Sequence, residues 1–246
     1  MNELIPSLEG LEKLEHWDKE YVFVKMIGDN FKNYNLRRRF IVLEGVDGSG
    51  KTTLGYNLVQ FFRDNKQKVT FVRQPGSTLI GERVRQIMKD EGSCLNSRTR
   101  HLLIEAARVD LLSSLEEIRK KDPDIWIICD RHIDSSWAYQ GTEAVPRAQI
   151  ALTQEGFSDM IKPDVTIYLD IEPEIAQARV RASRDPDLRD NYDNADLSFY
   201  EGCRERYHER IANNRSHYLV VDGALNKERV LQETLIGLGL KPNLFK

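Results

Sequence analysis

Cysteine is scarce in this chain, with three in 246 residues, at Cys94, Cys129 and Cys203. The number is odd and no two form a CxxC pair. A disulfide framework and a thiolate metal site are therefore not expected, and the thiols read as reduced. A basic excess is also missing. Thirty-six Lys and Arg stand against 39 Asp and Glu, a formal charge of −3, which excludes a general pull toward nucleic acid or anionic membrane. The one dense basic run, Arg37-Arg38-Arg39, reads as a solvated approach to a strand. No apolar stretch reaches the roughly 20 residues of a membrane span. The opening MNELIPSLEGLEKLEHWDKE has neither the apolar core of a signal peptide nor an Arg/Ser-rich transit pattern. The expectation is a cytoplasmic protein with neither a nucleic-acid nor a membrane partner.

What is present is enough apolar sequence for one large α/β domain or two small ones, at 40% hydrophobic residues. From residue 40 onward, short apolar runs alternate with longer segments of helical period. The strand candidates are FIVLE (40–44), KVTFVR (68–73), DIWIICD (124–130), DVTIYLD (164–170) and HYLVVD (217–222). Several are continuously apolar and rich in β-branched residues, as buried parallel strands are. Between them, 51–63 places Leu54, Leu58, Val59, Phe61 and Phe62 on one helical face, and 195–212 spaces Leu197, Tyr200, Cys203, Tyr207 and Ile211 by threes and fours. This alternation predicts an α/β fold of three layers: a five-stranded parallel sheet with helices on both faces and ligands at the carboxyl ends of its strands. Residues 1–38 do not join the rhythm and form an N-terminal extension. It reads either as packing against the domain or as a partner-binding arm.

Gly45-Val-Asp-Gly-Ser-Gly-Lys-Thr52 matches G-x-x-x-x-G-K-[ST] after a strand and before a helix, the setting in which backbone N–H groups and a helix N-terminus cradle phosphates. Gly45, Asp47, Gly48, Ser49, Gly50, Lys51, Thr52 and Thr53 are thus the candidate ATP site. Lys51 reaches the outer phosphates, and the Thr52 hydroxyl is a ligand for Mg²⁺. A GTPase would carry N-K-x-D, and both Asn-Lys pairs here, NKQK at 65 and NKER at 226, lack the aspartate. The phosphate acceptor should therefore be small.

Three stretches sit where that acceptor would lie. RQPGST (73–78) and DRHIDSSWAYQG (130–141) follow the second and third strands, and LIEAARVD (103–110) presents Arg108 from a helix. Arginines at strand tips suit a second phosphate, which the planar guanidinium holds by two oxygens.

With these motifs the chain resembles the thymidylate kinase family over about residues 39 to 240. FIVLEGVDGSGKTT, RQPGST, DRHIDSSWAYQG and PDVTIYLDIEPE (163–174) stand in order for the family's four patterns. The resemblance implies a P-loop kinase domain over 39–246 that passes the ATP γ-phosphate to dTMP, with Mg²⁺, as a homodimer. It further implies that Asp47 accepts from the sugar 3′-hydroxyl, that Arg73 and Arg131 hold the dTMP phosphate, and that Arg108 reads a base carbonyl. Ser136 and Gln140 would line the base pocket, Tyr139 would crowd the sugar C2′, and Asp130 with Thr52 would organise Mg²⁺. Lys51, Asp47 and Arg131 would be catalytic. With Gly48 after Asp47, the remaining catalytic arginine must come from a lid over 181–193, where Arg184 and Arg189 lie past the helix.

The chain departs from the family pattern in three places. Gln74 replaces the glutamate of R-E-P-G, Ile104 stands where an aromatic ring usually stacks on thymine, and Asn191 aligns with the lid arginine. These departures bear on the acceptor. A 5-substituted dUMP is the alternative nucleotide, and a deoxynucleoside kinase or a non-catalytic nucleotide-binding regulator are the alternative functions. His132 reads as a neutral structural residue beside Arg131.

Overall fold

The computed structural model describes residues 36–90, 95–142, 144–157, 159–183 and 195–240. The proposed extension, except Leu36–Arg38, and the lid residues Arg184, Arg189 and Asn191 lie outside them.

Five parallel strands, β1 (Phe40–Glu44), β2 (Val69–Arg73), β3 (Trp126–Asp130), β4 (Val165–Asp170) and β5 (Tyr218–Asp222), form one sheet in the order β2-β3-β1-β4-β5. Among the described residues eight helices accompany it: α1 (Lys51–Asp64), α2 (Leu79–Asp90), α3 (Ser97–Lys121), α4 (Ile133–Gln140), α5 (Arg147–Glu155), α6 (Pro173–Ser183), α7 (Leu197–Asn213) and α8 (Lys227–Gly237). The fold is the three-layer α/β arrangement expected from the sequence. Each strand begins one or two residues later than its apolar run, except β1.

Every residue of β1 is buried, because the central strand has a sheet neighbour on each side and helices on each face. Ile41 and Leu43 point into one core with Leu54, Leu58 and Phe62 of α1 and Leu231 and Leu235 of α8. Phe40 and Val42 point the other way, against Leu111, Leu112 and Leu115 of α3. On that same face Tyr168 of β4 packs with Tyr200, Cys203 and Tyr207 of α7. Cys129 and Cys203 are buried free thiols. Burial, helped by the Asp130 and Glu44 charges, raises the Cys129 thiol well above its ordinary range, and burial pushes Cys203 up to about 11, so neither sulfur is a nucleophile here.

This order fixes where ligands bind. The chain leaves β1 for β2 on one side and meets β4 on the other, so a crevice opens beyond the carboxyl ends of β1 and β3. Register partners Leu43 and Asp130, and Arg73 and Asp130, put three strand tips level at that crevice.

Candidate active site

The glycine turn between β1 and α1 forms the first half of the site. Gly50 stands at the α1 N-terminus with φ 97°, a left-handed conformation that glycine adopts without steric cost. Gly48 has φ 80°, and a Cβ there would lie 2.2 Å from the Ala176 carbonyl oxygen, so α6 abuts the turn directly. Lys51 reaches back along it, and its Nζ donates to the carbonyls of Val46 (2.8 Å) and Gly45 (3.0 Å). Burial, reinforced by Arg131, lowers the Lys51 ammonium to about 8. The charge is therefore largely retained at neutral pH while its hydrogen bonds go only to neutral oxygens. Incoming phosphate oxygens offer it a stronger partner.

At the second position of α1, Thr52 Oγ1 donates to Asp130 Oδ2 at 2.6 Å. Asp130 is buried, and its Oδ1 has no hydrogen-bond partner among the described residues. A hydroxyl beside a buried carboxylate with a free oxygen suits a hard divalent cation, whose remaining positions water and phosphate would fill. No cluster of three His, Cys, Asp or Glu that could hold a metal alone occurs among the described residues.

The second half of the site begins at Arg131, where β3 gives way to α4. Arg131 has φ 73°, unusual for a residue with a side chain and the kind of local strain that gathers at functional sites. Its Nη2 donates to Asp47 Oδ1 (2.8 Å) and to the Tyr139 hydroxyl (3.0 Å), while Nη1 donates to Ser135 Oγ (3.0 Å). The guanidinium lies 4.6 Å from the Tyr139 ring centre, within cation–π range. Tyr139 closes the group by donating to Asp47 Oδ2 and accepting from the Asp47 N–H.

Beneath this group sits Glu44, fully buried. It accepts from the His132 and Ser135 N–H groups and from the hydroxyls of Ser135 and Tyr207. Burial, then the nearby Asp134 charge, raises its carboxyl above the usual range despite those bonds. Glu44 thus pins the start of α4 and with it Arg131. Burial, helped by the charges of Arg108 and His217, depresses His132 well below the ordinary imidazole range. The ring is neutral.

An open cleft adjoins the Asp47–Arg131–Tyr139 group. Of the acceptor candidates, Asp47, Ile104, Arg108, Arg131, Ser136, Tyr139 and Gln140 all line it. Arg73 does not. It leaves the tip of β2 outward to pair with Glu82 of α2 at 3.1 Å, with both side chains about half exposed. The wall adds Arg85 and Lys89 of α2 and Arg100 of α3, which the sequence motifs do not single out. Five cations and one carboxylate make this a site for an anion.

The long α3 explains how Arg108 arrives. Positions 101, 105, 108, 112 and 115 follow one stripe of the helix. Leu112 and Leu115 pack on the sheet, while the N-terminal half projects beyond the strand ends and carries buried His101, Glu105 and Arg108. Arg108 Nε donates to Gln74 Oε1 (3.1 Å) and Nη2 to Ser136 Oγ (2.9 Å), and Ser136 in turn donates to Glu105 Oε1 (2.6 Å). Gln140 Oε1 lies 2.9 Å from His101 Nδ1.

Comparison with known proteins agrees with this geometry. The thymidylate kinase family model matches residues 43–234. The thymidylate kinase of Nitrosomonas eutropha (strain DSM 101675 / C91 / Nm57) is 34% identical over 195 residues, covering 79% of this chain and 89% of that protein. The thymidylate kinase of Bacillus cereus (strain Q1) is 34% identical over 199 residues, covering 80% and 94%. That of Bacillus anthracis (strain CDC 684 / NRRL 3495) gives the same identity and coverage. A phosphate-cradling turn beside a cationic cleft, with one family pattern matched across most of the chain, leads to a single assignment: this chain belongs to the thymidylate kinase family.

Proposed function

We propose that the protein transfers the ATP γ-phosphate to dTMP, giving dTDP. The observation that carries this reading is the Asp47–Arg131 pair, which joins the phosphate turn to a cationic cleft. Two anions are thereby received side by side. Phosphoryl transfer asks mainly for alignment and for positive charge around the moving group, and both are available here.

In this reading the turn from Gly45 to Thr53 holds the ATP phosphates. Lys51 trades its carbonyl partners for β- and γ-oxygens. Thr52 would hold Mg²⁺, with Asp130 organising its waters, and the cation would supply positive charge against the phosphate chain. Arg131 grips the acceptor phosphate and faces the transferring group. Asp47 accepts from the sugar 3′-hydroxyl and Tyr139 closes over C2′. Arg108 and Gln140 read the base, with Ser136 beside them and Ile104 offering an aliphatic contact. Arg73 joins the acceptor phosphate by exchanging Glu82 for it. Arg184 and Arg189 remain the candidate lid arginines.

The catalytic domain is taken as residues 39–246 with its lid over 181–193, and residues 1–38 as an extension. No described helix is long and apolar enough to cross a membrane, in keeping with a cytoplasmic setting. Exposed Leu79, Ile80 and Ile87 on α2 offer an apolar face for homodimerisation.

The test is ADP release with MgATP and either dTMP or thymidine as acceptor. Faster turnover of dTMP supports the reading. Faster turnover of thymidine, or ATP binding with no dTMP-dependent ADP release, overturns it.

A further inference from the structure

Arg108 is 1% exposed and is the largest fully buried side chain among the described residues. A guanidinium so buried needs a carboxylate nearby, because its desolvation is otherwise uncompensated. In the family pattern the acid of this neighbourhood belongs to R-E-P-G, and here that position is Gln74. Its Oε1 lies 3.1 Å from Arg108 Nε, a bond in which the amide supplies a dipole but no charge. The charge comes from elsewhere. Glu105, one turn before Arg108 on α3 and 4% exposed, places Oε1 3.5 Å from Arg108 Nη1. That oxygen also accepts from Ser136 Oγ at 2.6 Å, and Ser136 accepts from Arg108 Nη2. Arg108 is therefore braced on three sides, by Gln74, Glu105 and Ser136.

We infer that Glu105 is the positioning residue of the acceptor base: it has taken over the counter-charge that position 74 no longer carries, and it holds Arg108 in the orientation that meets the base. Nothing in the bracing requires Glu105 to touch substrate, since it does not line the cleft. The exchange also changes what the cleft offers. Gln74 lines it with a neutral amide where a glutamate would have placed a carboxylate.

This inference rests on the kinase reading, and one set of proteins separates the two. Wild type, Glu105→Gln, Gln74→Glu and the double variant Q74E/E105Q are compared for dTMP-dependent ADP release and for thermal midpoint. Expected for E105Q is a KM for dTMP raised on the order of tenfold, with kcat and the KM for ATP little changed. The double variant should recover most of that loss by returning the charge to position 74. An unchanged KM in E105Q, or a double variant no better than E105Q, overturns the inference. So does an equal loss for ATP and dTMP, which marks a merely structural role. Should E105Q fail to fold, folding restored by Q74E supports the pairing and failure to restore it overturns it. A wild-type protein inactive on dTMP sinks the kinase reading instead. The pairing is then judged by thermal midpoints, which should fall in E105Q and return in the double variant.

Discussion

Arg131 Nη2 donates to Asp47 Oδ1 across 2.8 Å, and through that bond the loop after β3 is tied to the phosphate turn after β1. The pair is about five-sixths buried, at 16% and 17% side-chain exposure, so it is screened little by solvent. Arg131→Ala removes the ion pair with Asp47 and the guanidinium proposed to face the transferred group. Its kcat should fall by about 10²-fold or more. Steady-state kinetics decides, and a kcat within a few-fold of wild type contradicts the role.

Lys51→Ala should depress kcat by at least about 10²–10³-fold, because a charge contact that strengthens as charge moves onto the γ-phosphate is lost. ATP binding should weaken less than turnover does. A near-normal kcat removes Lys51 from the mechanism.

Arg73 makes a sharper test, since it pairs with Glu82 away from the cleft wall. Arg73→Ala should raise the KM for dTMP and leave that for ATP alone. If neither moves, Arg73 serves only to hold α2, and Arg131 carries the acceptor phosphate without it.

Gly48→Ala sets a Cβ against the Ala176 carbonyl and forces a side chain into φ 80°. The backbone strain alone costs about 1–3 kcal/mol, measurable by urea unfolding, and ATP affinity should drop as the turn shifts off α6. Unaltered stability would show that α6 yields.

The tip of β4 gives a pH prediction. Burial pushes the Asp170 carboxyl up, but hydrogen bonds from His208 and Arg204 outweigh it and hold the group well below the ordinary carboxylate range. A depressed carboxyl stabilises the fold above its unfolded pKa of about 3.9 and loses that contribution as pH falls toward the folded value. Wild type should therefore exceed Asp170→Asn in stability near neutral pH, and the gap should narrow toward about pH 3. A gap independent of pH contradicts the assignment.

How much of this was legible beforehand follows the range of the interactions. The turn from Gly45 to Thr52 was readable because its bonds close within a few residues, Lys51 onto Gly45 and Val46 among them. The sheet was readable because β1, β3 and β4 are buried on both faces and so lack polar alternation. Asp47, Arg108, Arg131 and Tyr139 could be named from motifs, yet their mutual hydrogen bonds could not. Glu44 meets Tyr207 across 163 positions, and no local pattern announces that. The cationic wall of Arg85, Lys89 and Arg100 resembles ordinary solvated helix until α2 packs on α3. Glu105 left a faint trace, an acid three residues before a helical arginine, which usually means a surface pair. Only burial gives it another meaning. The outward pairing of Arg73 had no signal in the sequence beyond a glutamate nine residues on.

The central claim is that the two anions meet and exchange a phosphoryl group. Incubation with MgATP labelled at the γ-phosphate and unlabelled dTMP tests it directly. Label is expected in the β-phosphate of dTDP, in step with ADP. Label appearing only as inorganic phosphate, or remaining in ATP while dTMP is unchanged, would contradict it.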